Sequence, residues 1–208
     1  MKILITGGGG YIGCQLVPEL LRKGHQVTVL DLFWFGDFLE GKNLKKIKSD
    51  VRSIREVDLT PYDIIFHFAS VANDPCTSLD PALCWDISVT STIELADHAV
   101  RSGVKRIIYA SSGSVYGVQE VENVTEELML VPLTVYNKAK IACERIWLSY
   151  SKNLDVQIVR PATVCGLSTR MRFDVVVNML TIQALKNRKI SVLGGDQYRP
   201  NIHIMDLV

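Results

Sequence analysis

The chain begins with five residues of strand character, Lys2-Ile3-Leu4-Ile5-Thr6, and runs at once into Gly7-Gly8-Gly9-Gly10-Tyr11-Ile12-Gly13. A helical stretch over 11–23 follows. A strand, a glycine cluster and a helix in immediate succession constrain the fold more than any other feature of this sequence. Gly7, Gly10 and Gly13 are spaced as G-x-x-G-x-x-G. The first glycine permits a tight turn, the second lets backbone N–H groups approach a phosphate, and the third lets the helix pack closely on the strand. The helix N-terminus adds a partial positive charge aimed at the same place. A glycine cluster alone would be a flexible turn. Between a strand and a helix it predicts a dinucleotide phosphate site.

The remaining pattern agrees. Short apolar runs at 26–30, 45–48, 63–67, 105–109 and 155–160 read as buried strands. Helical segments fall at 82–101 and 136–151, with Gly24 and Gly103 as C-terminal stops after 11–23 and 82–101. Such alternation predicts an α/β fold, a Rossmann-type doubly wound parallel sheet covered on both faces. From residue 166 the text changes. A helical run at 174–187 leads to an expected strand near 190–193, a Gly194-Gly195-Asp196 turn and an expected strand at 202–204. This reads as the beginning of a smaller C-terminal region, dividing the chain into 1–165 and 166–208. The sequence stops at Ile204-Met205-Asp206-Leu207-Val208 without a loop or terminal cap, which predicts truncation.

Composition excludes several classes of partner. In 208 residues, 48% hydrophobic and 22% charged, there is material for a real core, and a net charge of +1 gives no reason to propose nucleic acid. The basic residues between Lys42 and Arg55 are interleaved with Glu40, Asp50 and Glu56 and read as a solvated face. No apolar run reaches the length of a membrane span. The N-terminus lacks the apolar region and cleavage site of a signal peptide. Five cysteines, odd in number and without C-x-x-C spacing, read as reduced thiols of a cytoplasmic protein. None of the four histidines has metal-ligand spacing, so no metal is expected. His25 reads as a turn residue, His98 as a helix residue, and His67 and His203 as strand residues with local hydrogen bonds.

Asp31 ends the second strand, where a carboxylate accepts hydrogen bonds from an adenosine ribose and repels a 2′-phosphate. It favours NAD over NADP. Tyr136 and Lys140 lie one helical turn apart on one face. A free phenol titrates near 10 and needs help to act as a base at neutral pH. A cation about 4 Å away, at an effective dielectric of about 20, supplies roughly 4 kcal/mol. The pair becomes meaningful beside Tyr109-Ala110-Ser111-Ser112-Gly113-Ser114, which puts hydroxyls at a central strand's C-terminal end, where ligands bind in open parallel sheets.

Taken together these residues resemble the extended short-chain dehydrogenase/reductases, in the nucleotide-sugar epimerase/dehydratase branch. The likeness runs along the whole chain. Thr6 to Gly13 matches T-G-G-x-G-Y-I-G, which brings Tyr11 and Ile12 into the cofactor loop. Asp50-Val51-Arg52 matches D-[IV]-R, whose carboxylate lies near the adenine amino group. His67-Phe68-Ala69-Ser70 matches the H-x-A-[AG] strand end beside the cofactor. Ser112 occupies the catalytic Ser/Thr position, and Tyr136 and Lys140 fill Y-x-x-x-K. Arg160 to Gly166 resembles R-P-x-N-V-Y-G, and Gln197 to His203 resembles Q-x-R-D-[FY]-I-H.

The resemblance implies NAD as cofactor, held by Gly7, Gly10, Tyr11, Ile12, Gly13, Asp31, Asp50, Val51, Phe68, Ala69, Ser70, Ser111, Tyr136, Lys140 and Pro161. It implies Ser112, Tyr136 and Lys140 as catalytic residues. A nucleotide-diphosphate sugar would be held by Ser112, Ser114, Tyr136, Thr163, Asn178 and Arg199, the last two at its diphosphate. It also implies a homodimer through a four-helix bundle of the helices at 82–101 and 136–151. Departures fall on the sugar side: Thr163, Cys165 and Pro200 replace Asn, Tyr and Asp, and Ser88 replaces an Asn while Thr92 is kept.

Dehydratase and decarboxylase relatives carry acids after the catalytic hydroxyl, and 3,5-epimerising members place Cys at the position of Ser114. Gly113 and Ser114 stand there instead and cannot serve as carboxylic acids. The expected reaction is therefore 4-epimerase-like hydride removal and return. A nucleotide-sugar or keto-sugar reductase is the alternative, and a non-catalytic NAD-binding sensor is a third reading.

Overall fold

The computed structural model describes residues 1–208, and its six principal strands all run parallel. They are β1 (Lys2–Thr6), β2 (Gln26–Asp31), β3 (Leu44–Lys48), β4 (Ile64–His67), β5 (Arg106–Ala110) and β6 (Asp155–Val159), in the order β3-β2-β1-β4-β5-β6. The central strands are apolar along most of their length because helices cover both sheet faces. Ile3, Ile5, Val27 and Val29 pack with Cys14, Leu16 and Val17 of α1 (Gly13–Arg22) on one face. Leu4, Leu30, Ile65, Ile107 and Tyr109 pack with Leu95, Ala96, Ala99, Cys143 and Trp147 on the other. The strand order reverses between β1 and β4, which opens a crevice above their C-terminal ends. Every candidate site residue from Gly7 to Lys140 comes from the loops and helix ends that follow these strands.

The helical segment predicted at 82–101 is interrupted. It comprises α3 (Pro81–Trp85), a π-helical turn over Asp86–Thr90 and α4 (Ser91–Arg101), preceded by the short α2 (Asp74–Leu79). The Ser88 carbonyl accepts hydrogen bonds from Thr92 Oγ1 at 2.6 Å and Cys143 Sγ at 3.3 Å. Side chains that bond to a helix carbonyl compete with the regular ladder, and π-turns accommodate them. α5 (Val135–Ser149) packs beside this run. No helix is long and apolar enough to cross a membrane.

Beyond β6 the chain makes a separate small sheet. β7 (Thr163–Cys165) pairs in parallel with β8 (Asn201–His203), and α6 (Val176–Asn187) and the single turn α7 (Ile204–Leu207) complete it. The strand expected near 190–193 is not formed. Ile190, Val192 and Leu193 are exposed and have no neighbouring strand to supply a ladder. β7, which the apolar pattern did not single out, supplies instead the partner for β8.

Candidate functional site

The glycine loop takes the form its sequence predicts. Gly7 adopts φ +73°, and a Cβ there would come within 2.6 Å of the Ala69 nitrogen. At Gly13 a Cβ would lie 2.2 Å from the Gly8 carbonyl oxygen, so only glycine lets α1 start this close to the loop. The N–H groups of Tyr11 and Ile12 make no hydrogen bond within the chain. They sit at the positive end of α1, free to receive a phosphate.

Asp31 stands beside the same loop. Its two carboxylate oxygens accept from Gly9 N at 2.9 Å and Phe33 N at 2.8 Å. Each oxygen keeps lone-pair capacity for a ribose hydroxyl. Asp50 is held differently. It accepts from Arg52 N, Nε and Nη2, and the Arg52 guanidinium holds its carboxyl below the usual carboxylate range. The next residue, Val51, is buried. Phe68, Ala69 and Ser70 follow β4 on the opposite side of the glycine loop, with Ala69 N donating to Thr6 Oγ1 at 3.4 Å.

Above β5 the hydroxyls are ordered by donor arithmetic. Ser114 Oγ donates to Asn137 Oδ1 at 2.7 Å, which commits its only proton. The 2.8 Å bond between the Ser112 and Ser114 hydroxyls is therefore donated by Ser112. The next hydroxyl along, Ser111, is buried and donates to Glu144. Glu144 is also gripped by Arg160 at 2.7 and 3.0 Å, and Arg160 reaches the Tyr116 hydroxyl at 2.9 Å. Glu144 fixes the β5 and β6 ends relative to α5. Pro161 accepts from Gly113 N at 2.8 Å, completing that wall.

Tyr136 lies in the first turn of α5. The cap is built for rigidity: Thr134 accepts from Asn137 N at 3.2 Å and donates to Asp74. Lys140, one turn on, is 4% exposed, and its ammonium lies 5.6 Å from the Tyr136 ring centre. It donates to the Ala110 carbonyl at 2.8 Å and Ser70 Oγ at 3.3 Å. Neither partner is a carboxylate, and one of its three protons remains for a ligand. A buried cation without a counter-ion is expensive, and such groups mark sites that receive charge or hydroxyls. Beneath it His67 is fully buried between Thr6 and Thr92. Desolvation first, and the Lys140 charge second, push its pKa down to about 3.

Tyr11 turns toward the small sheet. Its hydroxyl donates to the Gly166 carbonyl at 2.6 Å and accepts from Asn178 Nδ2 at 3.1 Å. Asn178 also donates to the Arg172 carbonyl and accepts from Gly166 N. These bonds join α6 to Tyr11 of the glycine loop and to the segment that follows β7. Arg199 lies in an exposed segment and makes no side-chain hydrogen bond. Thr163 is half-buried in β7.

Several residues of the site escaped the motifs. Asn137 directly follows the tyrosine and orders the serines. Asn73 donates to Asp174 at 3.0 Å, and Asp174 pairs with Arg172 at 2.6 Å, a bridge from the loop after β4 to the small region. Arg172 is the first cause holding the Asp174 carboxyl down, to about 2.

A six-stranded parallel sheet with this loop and this Ser/Tyr/Lys set defines a dinucleotide-binding protein of the short-chain dehydrogenase type. The chain belongs to the NAD dependent epimerase/dehydratase family, whose model matches residues 3–208. It is 30% identical to UDP-glucuronic acid decarboxylase 1 of Xenopus tropicalis, over 100% of this chain and 52% of that protein. It is also 30% identical to the UDP-glucose 4-epimerase of Mycolicibacterium smegmatis, over 100% of this chain and 71% of the other. Among solved structures, TunA, an NAD-dependent NDP-hexosamine 5,6-dehydratase of tunicamycin biosynthesis, superposes with a TM-score of 0.90 at 29% identity, covering 99% of this chain and 69% of that one. The chain thus spans about half the length of such relatives as the decarboxylase. These three relatives carry three different reaction names, so the residues of this chain must choose among them.

Proposed function

We propose that this chain forms the cofactor half of an NAD-dependent enzyme that epimerises a nucleotide-diphosphate sugar, in the manner of a 4-epimerase. Residues 1–165 would bind NAD, and 166–208 would begin the substrate-binding region. The observation that carries this reading is the neutral relay of Ser112, Ser114 and Asn137 beside Tyr136 and Lys140. The family resemblance puts an acid after the catalytic hydroxyl in dehydratases and decarboxylases, and this chain has Gly113 and Ser114 there instead.

The residues fit the cofactor. Tyr11 and Ile12 offer free N–H groups to a pyrophosphate, Gly7, Gly10 and Gly13 permit the tight loop that would hold it, and Asp31 can receive an adenosine ribose. Asp50 and Val51 would flank the adenine. Phe68, Ala69, Ser70, Ser111 and Pro161 would line the path toward the sugar. When bound, the nicotinamide ring accepts a hydride and gives it back.

The chain's own groups do the proton work. Ser112 can redirect its proton from Ser114 to the sugar oxygen and hold that oxygen in place. Tyr136 takes the hydroxyl proton as hydride leaves and returns it afterwards. Lys140, whose charge faces the Tyr136 ring, would hold the nicotinamide ribose with its third proton. Ser114, Thr163, Asn178 and Arg199 would complete the substrate side, with Arg199 swinging in from its exposed segment to a diphosphate. A homodimer through α3 to α5 is supported by Trp85, Ile93 and Leu148, which are apolar and partly exposed on those helices. A cytoplasmic location suits five free cysteines.

The test is interconversion of epimeric UDP-sugars by the full-length protein, followed by chromatography. Tyr136→Phe should lower turnover by roughly a hundred- to ten-thousandfold while leaving NAD binding intact. Wild-type rates in that variant would refute the mechanism.

A further inference from the structure

The loop that leaves β2 is Asp31-Leu32-Phe33-Trp34-Phe35-Gly36-Asp37-Phe38, with Trp34, Phe35 and Phe38 well exposed. Large aromatic side chains on an exposed loop cost hydration unless something covers them. Part of the cover comes from far along the chain. The Arg170 guanidinium carbon sits 3.9 Å from the centre of the Phe35 ring, stacked on it.

The path by which Arg170 arrives is fixed by contacts. After β7 the segment is tied to the glycine loop by Tyr11 Oη to the Gly166 carbonyl, by Ser168 Oγ to the Tyr11 carbonyl at 2.9 Å, and by Gln15 Nε2 to the Leu167 carbonyl at 3.2 Å. Residues 166–170 therefore run along the first turn of α1, and Arg170 emerges between that turn and the loop following Asp31. Its side chain makes no ion pair. Its only hydrogen bond is a long one, 3.4 Å, to the Met171 carbonyl. Desolvation first, and the neighbouring Arg172 charge second, both push its pKa down, opposed by Asp174 and, more weakly, by Cys14 and Asp31, none of which pairs with it. Arg172, two residues on, has Asp174 as a counter-ion. Arg170 has none. A guanidinium with spare donors and no counter-ion, carried on a segment tied to the first turn of α1, is arranged for an anion received at that helix start.

We infer that Arg170 takes the cofactor's pyrophosphate as its counter-ion and, stacked on Phe35, straps the glycine loop from outside. The inference rests on the NAD reading above and adds a residue to it. It assigns the small C-terminal region a part in holding the cofactor as well as the sugar. A reaction that removes a hydride and returns it needs the same cofactor molecule throughout, and a strap of this kind slows its escape.

The experiment uses full-length protein and three probes measured by titration calorimetry: ADP-ribose, which carries the pyrophosphate, adenosine, which does not, and UDP, which carries the substrate-side diphosphate. Trp34, next to Phe35, supplies an independent fluorescence readout. In Arg170→Gln the Kd for ADP-ribose should rise roughly ten- to hundredfold and lose much of its salt dependence. Adenosine and UDP affinities should stay unchanged. Arg170→Lys, which keeps the charge and loses the planar fork, should fall between wild type and the Gln variant. ADP-ribose affinity unaltered in both variants would overturn the assignment. So would an equal loss for adenosine, which would mean a merely structural role, or a loss confined to UDP, which would move Arg170 to the substrate. Wild-type protein that failed to bind ADP-ribose at all would remove the NAD reading and the strap with it.

Discussion

Two regions of this chain are held together by different forces. In the six-stranded sheet Leu4, Ile65 and Ile107 are fully buried under the helices of one face, and Ile5 and Val29 under those of the other. Beyond Gly166 only Ser168, Val175, Asn178 and Ile204 are buried, and two of these four are polar. That region is fastened to the glycine loop by the hydrogen bonds of Tyr11, Gln15, Ser168 and Asn178 and by a small apolar cluster of Tyr11, Val164 and Ile204. Apolar burial over a large area gives a frame that holds Tyr136, Lys140 and Ser112 in register. A small apolar cluster and a few polar clasps give a neighbour that separates at smaller cost. The site is placed where the rigid part meets the adjustable one.

Glu144 is where the first region should break most severely. Replacing it with Ala leaves the Arg160 guanidinium largely buried without its carboxylate, which typically costs about 3–5 kcal/mol. The denaturant midpoint should fall accordingly, and Ser111 should lose its partner. A loss smaller than that of an ordinary surface substitution would show that the frame does not depend on this pair.

His67 gives the same region a pH limit. Its pKa is depressed to about 3 in the folded chain against about 6.5 when unfolded. The unfolded state therefore binds a proton that the folded state refuses. Stability is full above pH 6.5 and declines as pH falls from there toward 3, by at most about 1.4 kcal/mol per pH unit. His67→Gln should flatten this slope in thermal melts between pH 6.5 and 4. An identical slope in the variant would assign the acid limb to other groups. The carboxyl of Asp174 acts in a lower window, its ion pair with Arg172 weakening as pH drops from about 4 to about 2.

The smallest effect on global stability belongs to the second region. Asn178→Ala removes three hydrogen bonds and leaves buried partners unsatisfied, worth about 1–3 kcal/mol, most of it local. Hydrogen exchange should accelerate over α6 while the amides of β1, β4 and β5 keep their protection. Uniform acceleration in both regions would mean that they unfold as one unit.

The same contrast explains what the sequence made legible. Strands sealed on both faces announce themselves as short Val- and Ile-rich runs, and six were placed to within a residue or so of their observed ends. β7 is three residues long, Thr163-Val164-Cys165, and only its pairing with β8 makes it a strand. Ile190 to Leu193 has strand composition but no partner. The π-turn at Asp86–Thr90 has its Ser88 carbonyl bonded by Thr92 and by Cys143, the latter more than fifty residues away and so outside any local pattern. Glycine spacing and Tyr136-x-x-x-Lys140 were readable because their geometry is local. The roles of Asn137, Asn73 and Arg170 depend on which loops meet, and so emerged only with the fold.

The central claim is that Ser112, Tyr136 and Lys140 serve a hydride that leaves one sugar carbon and returns to it. Full-length protein should be given a UDP-sugar deuterated at C4, with NAD and without any reductant, and the product read by mass spectrometry and NMR. The account predicts the C4 epimer with the deuterium still on C4 and no accumulation of reduced cofactor. Loss of the deuterium to solvent, or a product that is dehydrated, decarboxylated or left as a ketone, would contradict it.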